Sequence, residues 1–422
     1  MHAAGMRNEA GQPSAAVGAA ARATLEHHAA ALLRHTSNGT FPLAPDVMTI
    51  DAARYTSPER FAQEKHRIFQ RVPLVLAASC EMPGPGDYKT LEVAGIPVLL
   101  VRDRAGTAHA LLNACTHRGA AVASGCGTAA RFTCPYHGWT FAQDGALLGV
   151  ASSADFGAID RATSGLKRFP VTERAGLIWA ILDPNCPHDP ATMLGGIDGL
   201  LAGFGLADWT LVESRVLHGP NWKLAFDAHL EFYHVPVLHR DTFGPDRSNR
   251  AFYFSEGPHQ RVIAPQGRPG AVAPDDLYAL GRLPAPGEQI DPLLMGEWIL
   301  FPGTSINTFY ISGIRCVLVS IVVPGAEVGT STTTQTFLAE TPPDNAALAA
   351  MSEMCAFLAH VVGDEDLPTS AFQQKAMATG LVGEVRFGRN EGGLQHFHTW
   401  LDRVIAADDD ELPNLLAALC PQ

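Results

Sequence analysis

Two Cys-His pairs constrain this chain more than anything else in it. In the stretch NACTHRGAAVASGCGTAARFTCPYHGWTF, Cys115-x-His117 is followed, after sixteen residues, by Cys134-x2-His137. Thiolates and imidazoles together hold zinc or iron–sulfur centres, and spacing helps to choose between them. Zinc knuckles pair like ligands, two Cys in one and two His in the other. Here each loop carries one of each, as a [2Fe–2S] cluster with two Cys on one iron and two His on the other requires. Both loops must then meet over a single cluster. Neutral imidazoles in place of thiolates leave that cluster less negative and easier to reduce, so the site reads as an electron acceptor.

The rest of the chain has to supply a scaffold and a recipient. Its 422 residues, 46% apolar and 17% charged, suit a globular protein of two or three domains. The net charge of −13 works against nucleic acid as a partner. No run approaches the roughly 20 apolar residues of a membrane span, and the N-terminus has no signal-peptide segment. A cytoplasmic location follows, with Cys80, Cys126, Cys186, Cys316, Cys355 and Cys420 expected as reduced packing residues. Residues 1–44 read as an Ala-rich leader and a helix. TSPERFAQEKHRIFQRV predicts a second helix, capped by Ser57 ahead of Pro58. Short β-rich runs between Pro-Gly and Ala-Gly turns then predict antiparallel strands, so residues 45–185 are expected as a small all-β domain around the Cys-His pairs. In residues 186–422, NWKLAFDAHLEFYHVPVLH predicts a helix. Residues 245–297 read as an irregular insertion, and strands then a helical end come after it. That half is expected as an α+β domain with a helix laid on an antiparallel sheet.

A second constellation lies in the NWK segment: His234-x4-His239, with Glu231 three residues earlier. Residues five apart share a helix face poorly, and Pro236 is expected to break or distort the helix between the imidazoles. Two His and one carboxylate make the facial triad of non-heme Fe(II) oxygenases, whose open positions take O2 and substrate. The carboxylate must come from elsewhere, and GDEDLPTSAFQQ offers Asp364, Glu365 and Asp366.

The C-x-H-x16-C-x2-H pattern closely resembles the Rieske motif. Ala120 and Tyr136 stand where respiratory Rieske proteins carry a further pair of Cys, and HRGA with PYHGW resembles the oxygenase branch. Arg118, Gly119, Gly138 and Trp139 are read as loop shape and packing. NWK…E-x2-H-x4-H likewise resembles the mononuclear-iron segment of Rieske oxygenases, the large subunits of ring-hydroxylating systems, over about residues 40 to 405. That resemblance implies an all-β Rieske domain plus a helix-grip catalytic domain, α+β overall. It makes Cys115, His117, Cys134 and His137 the cluster ligands and His234 and His239 ligands of Fe(II). Asp366, with Gln374 eight residues on, becomes the third iron ligand and Asp364 the rival. It gives Glu231 the role of bridging one chain's cluster His to the next chain's iron His. It also implies a head-to-tail homotrimer, with or without a small second subunit. The chain departs from the pattern at Asp227-Ala228-His229, where many members have an Asn and an aromatic; His229 is expected to pack, with a pocket role as the rival.

No G-x-G-x-x-G follows a strand, so electrons are expected from a separate ferredoxin or NAD(P)H-dependent reductase. The resemblance places the pocket around Leu230, Asn307, Phe309, Phe357 and Phe372, a mostly apolar set that favours an aromatic or hydrophobic substrate. Oxidation of a methylated amine, quaternary ammonium or aryl ether is the alternative outcome. Readings from other classes are an electron-transfer Rieske protein and a binding module with a degenerate site.

Overall fold

The structure is a computed structural model that describes residues 17–265, 277–285 and 288–417. Its centre is a seven-stranded antiparallel sheet. In chain order the strands are β1 (Thr210–Gly219), β2 (Phe252–Glu256), β3 (His259–Ile263), β4 (Glu297–Leu300), β5 (Thr304–Ile311), β6 (Ile314–Pro324) and β7 (Ser331–Ala339). They lie side by side in the order β1-β7-β6-β5-β4-β3-β2. The β-branched run of β6, IRCVLVSIVVP, is buried nearly throughout, as a central strand covered on both faces should be. Alternation divides it: Val317, Val319 and Ile321 join a core with Leu25, Trp179 and Leu206, while Cys316 and Leu318 pack with Met351 and Cys355. One face therefore meets the N-terminal helix α1 (Ala19–Asn38). The other meets α6 (Asn345–His360).

β2 and β3 lie inside the stretch expected as an irregular insertion. They form a hairpin turning at Gly257, which has φ +58°. β3 is buried throughout and β2 is buried at both ends with a half-buried middle, so neither alternates, and β-rich FYF and RVI were the remaining cue.

The Cys-His loops sit among small antiparallel sheets of the N-terminal half. One has five strands, with Ile96–Arg102 central between Asp87–Val93 and Ala108–Leu112. Another is a three-stranded meander of Phe132–Thr133, Thr140–Phe141 and Leu147–Gly149. Two stretches before these sheets make their contacts elsewhere. Met48–Asp51 pairs with Glu384–Phe387. Helix α2 (Pro58–Glu64), capped by Ser57 Oγ on the Arg60 N–H, aims Glu64 at α3 (Trp222–Asp227).

The NWK segment is not one helix. α3 ends at Asp227, and after an irregular loop the chain resumes in α4 (Val235–Leu238) and α5 (Arg240–Phe243). Pro236 lies in the first turn of α4. It therefore starts a helix, where its missing N–H needs no partner, instead of breaking one.

Helix α6 continues through a π-helical turn, Val361–Asp366, into α7 (Leu367–Met377). This run, Asn345–Met377, is by length and composition apolar enough to cross a membrane, contrary to the sequence expectation. Met351 and Cys355 pack on the sheet, Leu348 and Phe372 are exposed, and the middle carries Asp364, Glu365 and Asp366. The last long helix, α8, spans Gly392–Ala406. Of the remaining cysteines, Cys80, Cys316 and Cys355 are buried, but Cys126 is exposed on an edge strand. Cys420 lies outside the described residues.

Where α2 meets α3, charge is buried outright. Glu64 and Lys223 are at most 1% exposed, and Lys223 Nζ donates to Glu64 Oε2 over 2.5 Å. Trp222 Nε1 donates to the same oxygen and Arg60 Nε to the other. Burial pulls the Lys223 pKa down and Glu64 partly offsets it. Removing one partner strands the other in a dry core. Glu64→Ala is expected to lose about 3–5 kcal/mol of stability, and the pair Glu64→Leu with Lys223→Met to recover most of it. Guanidinium unfolding midpoints of the three proteins check this; a loss below about 1 kcal/mol in Glu64→Ala would contradict it.

Candidate metal centres

The two Cys-His loops are built on one plan. In the first, the Gly119 N–H donates to Cys115 O and the Cys115 N–H to Ala120 O, each at 2.8 Å. In the second, the Gly138 N–H donates to Cys134 O at 3.0 Å and the Cys134 N–H to Trp139 O at 2.8 Å. Each glycine stands four residues after its Cys with positive φ, +80° at Gly119 and +72° at Gly138. Glycine takes that conformation without strain, which lets each loop fold back tightly. Asn113 braces the first loop, donating to Ala123 O and accepting from the Val122 and Ala123 N–H groups.

The loops support each other. The His117 ring stacks on Trp139 of the opposite loop, with centroids 5.2 Å apart and planes 9° from parallel. The Arg118 guanidinium lies 5.0 Å from the centre of the Tyr136 ring. The cysteines point inward, both buried, while the imidazoles are half-buried with centroids 4.7 Å apart. Burial raises the Cys115 thiol pKa, and neighbouring Cys134 raises it further. Both Nδ1 atoms, of His117 and His137, are buried without a hydrogen-bond partner. Orphaned polar atoms of this kind cost about 1–3 kcal/mol each unless something binds them. Two thiols and two unpartnered Nδ1 atoms facing one space fit a mixed-ligand [2Fe–2S] cluster.

The second group forms where the α3–α4 loop meets the π turn. His234, His239 and Asp366 each offer a donor atom within 4.8 Å of the others. Asp366 Oδ1 stands 3.1 Å from His239 Nε2 and 3.9 Å from His234 Nε2. It lies buried without an aligned hydrogen bond. Cis ligands at about 2.1 Å from a first-row metal stand about 3 Å apart, so this donor set fits one ion. Both imidazoles are backed by carboxylates. Glu231 Oε1 accepts from His234 Nδ1 and Glu365 Oε2 from His239 Nδ1, each at 2.5 Å. That fixes the tautomers and turns both Nε2 atoms toward Asp366. Glu231 is itself held by the backbone N–H groups of Tyr233 and His234, and Glu365 by the Thr242 hydroxyl. Burial opposes a charged His239, but Asp366 and Glu365 outweigh it and hold its pKa above the usual value.

The π turn explains which of the three acids points inward. An extra residue in one turn rotates the downstream side chains around the helix axis, a device frequent at functional sites. Glu365 and Asp366 turn toward the imidazoles. Asp364 stays outside, 71% exposed and paired with His360 at 2.8 Å. Gln374 accepts from the Asn221 N–H, tying α7 to the start of the NWK segment.

A cavity of about 560 Å³ opens on these donors. Its floor is the sheet face carrying Glu297, Ser305, Asn307, Phe309, Ser320 and Gln335, and His229 and Phe232 form a wall. Asn307 and Phe309 line it as expected, but the other three predicted pocket residues do not. Leu230 is buried in the main core, Phe357 packs edge-on against Phe243, and Phe372 is 71% exposed on α7. Tyr233 is also exposed. His229, expected to pack, lines the cavity, and Asp227 accepts from the Tyr55 hydroxyl at 2.7 Å. Glu365 was visible only as one of three neighbouring acids, and Glu297 had no signal in the sequence.

Two families match. The Rieske [2Fe–2S] domain covers residues 72–170, and the catalytic domain of the ring hydroxylating alpha subunit covers 206–407. The chain belongs to the Rieske oxygenase family. This Rieske oxygenase chain is 34% identical over 189 residues to the glycine betaine monooxygenase oxygenase subunit of Chromohalobacter salexigens. That match takes in 44% of this chain and 42% of the relative. Against the carnitine monooxygenase oxygenase subunit of Escherichia coli it is 28% identical over 85% of this chain and 94% of that protein. The matched stretches span about half the length of the first three relatives, at 42%, 54% and 43%. In fold it is similar to the crystal structure of the quaternary ammonium Rieske monooxygenase CntA, with TM-score 0.71 and 23% identity. That likeness covers 85% of this chain and 96% of CntA.

A carboxylate behind a metal-binding imidazole typically contributes 10–100-fold in affinity. Glu365→Gln is therefore expected to weaken ferrous binding at the His234, His239 and Asp366 group by about 10–100-fold and to leave the cluster's iron in place. Anaerobic titration with Fe(II) measures it; unchanged affinity would remove Glu365 from the site.

Proposed function

We propose that this chain is the terminal oxygenase of a multicomponent system. It takes electrons from a ferredoxin or an NAD(P)H-dependent reductase and uses O2 to hydroxylate an aromatic or hydrophobic small molecule. The carrying observation is that one chain holds both the two Cys-His loops and the convergent His234, His239 and Asp366, the latter opening on a cavity of about 560 Å³. In this reading Cys115, His117, Cys134 and His137 hold the [2Fe–2S] cluster, and His234, His239 and Asp366 hold Fe(II). When bound, the two groups supply single electrons and an open ferrous site for O2.

The protein's own part is positioning. Glu231 and Glu365 keep both Nε2 atoms on the metal side, and the apolar wall of Phe232, Phe243 and Leu318 removes the substrate from water. Glu231 is also the bridge to a neighbouring chain's cluster histidine. Its support is a second recess, of about 220 Å³, lined by Glu231, His234, Asp227 and Tyr55. A bridge of that kind calls for a closed head-to-tail ring, three copies in this reading, with or without a small second subunit. The location proposed is the cytoplasm.

A second reading keeps the chemistry and changes the substrate to a methylated or quaternary amine. The glycine betaine and carnitine relatives favour it, as do three phenylalanines (Phe232, Phe243 and Phe309) sharing the cavity with Glu297.

Iron content separates the oxygenase from a pure electron-transfer protein. The expected value is three irons per chain, falling to two in His234→Ala with turnover lost and the Rieske EPR signal intact. A screen of arenes, aryl ethers and betaines with a surrogate reductase, scored by product mass, then assigns the substrate. Two irons in the wild-type chain would overturn the proposal.

A further inference from the structure

Across the floor of the cavity runs a strip of uncharged polar side chains that neither metal group uses. Asn307 on β5, Ser320 on β6 and Gln335 on β7 line the same space as His234, His239 and Asp366. Strand pairing fixes their order. Ser320 stands directly opposite Gln335, and Asn307 stands opposite Leu318, two residues from Ser320 on the same face. Asn307 and Ser320 are therefore diagonal neighbours, close enough to share one bound group. Ser320 and Gln335 are each 1% exposed, and Ser320 Oγ and Gln335 Nε2 are buried without a hydrogen-bond partner. Asn307 is half-buried, and among the described residues its amide makes no hydrogen bond. The amide of Gln335 has a fixed direction. Arg215 Nε on β1 donates to Gln335 Oε1 at 2.8 Å, and a guanidinium can only donate. The atom left over is therefore an amide N–H, whatever the pH.

We propose that Asn307, Ser320 and Gln335 form the polar subsite of the cavity, which takes a neutral carbonyl oxygen of the substrate and so sets which carbon faces the iron. The proposal rests on the oxygenase reading above and adds a substrate feature to it, an oxygen acceptor carried on an otherwise apolar body. An acceptor follows from the fixed polarity of Gln335; the Asn307 amide and the Ser320 hydroxyl can each turn to offer a donor as well. A neutral group follows from the charges. No donor in the strip is ionised, and the Glu297 carboxylate is the cross-strand partner of Asn307. Arg247, also on the cavity lining, is exposed and donates from Nε to Phe243 O. The cost of mismatch supplies the selectivity. A hydrocarbon leaves buried N–H and O–H groups unpaired, and sites built to bond a polar group reject analogues lacking it.

The matched probes are 1-indanone and indane, the same two rings with and without the oxygen; indane-1-carboxylate adds a charge. Binding to iron-loaded enzyme is measured anaerobically by calorimetry for wild type, Asn307→Leu, Asn307→Asp and Ser320→Ala. Wild type is expected to prefer 1-indanone to indane by about 10-fold or more, and to bind the carboxylate more weakly than the ketone. Asn307→Leu is expected to lose most of the preference while still binding indane. Asn307→Asp, which keeps the shape and gives up the donor, is expected to lose it too. Ser320→Ala is expected to shrink it at unchanged indane affinity. Equal binding of ketone and hydrocarbon to wild type, binding of neither, tightest binding of the carboxylate, or an undiminished preference in both Asn307→Leu and Ser320→Ala overturns the proposal. Iron counts on the same preparations separate the two failures: three per chain with no preference sinks the subsite alone, and two per chain sinks the oxygenase reading beneath it.

Discussion

The hydrogen bond from His239 Nδ1 to Glu365 joins segments more than a hundred residues apart, and the rest of the site depends on it. His239 sits between two very short helices that have little stability of their own. Its ring needs an external reference. Glu365 supplies it from a helix that is itself seated on the central sheet, and the next residue, Asp366, then faces the Nε2 atoms. Glu231 does the same for His234 from within the loop. One carboxylate behind each imidazole and one in front is an arrangement that sets tautomer, ring plane and charge at once.

That arrangement needs a rigid platform, and the sheet with its flanking helices provides it. β6 is buried on both faces, one against α1 and the other against α6. The buried Glu64–Lys223 pair fastens α2 to the start of α3, so the loop carrying Glu231 and His234 leaves from a fixed point. Removing either partner alone would leave an unpaired charge in the core, so the two residues are kept together. The same sheet forms the floor of the cavity, so its register decides which polar atoms meet a substrate. Glu297 and Asn307 are cross-strand partners, as are Ser305 and Ser320.

The Cys-His loops were legible because their information is local. Each loop closes within six residues, and its glycine stands at a fixed offset from its cysteine. The Ser57 cap was legible for the same reason. Element type failed where burial erased periodicity, as in the β2–β3 hairpin. It failed again where one proline has two meanings: Pro236 within an apolar run reads as a helix breaker, yet it begins a helix. The pocket list failed at Leu230, Phe357 and Phe372, whose directions depend on long-range packing. Phe372, placed in the pocket by resemblance, stands in solvent on α7.

By itself the sequence determined the ligand chemistry: which loops carry sulfur and nitrogen together, that two histidines stand five apart, and that three acids come much later. These are matters of residue type and short spacing. Only the tertiary structure decided which acid turns inward, which carboxylates stand behind the imidazoles, and that His229 faces the cavity with Glu297 at its back. Those outcomes depend on contacts across long stretches of chain, where a rotation of one helical turn or a shift of one strand position exchanges one side chain for another.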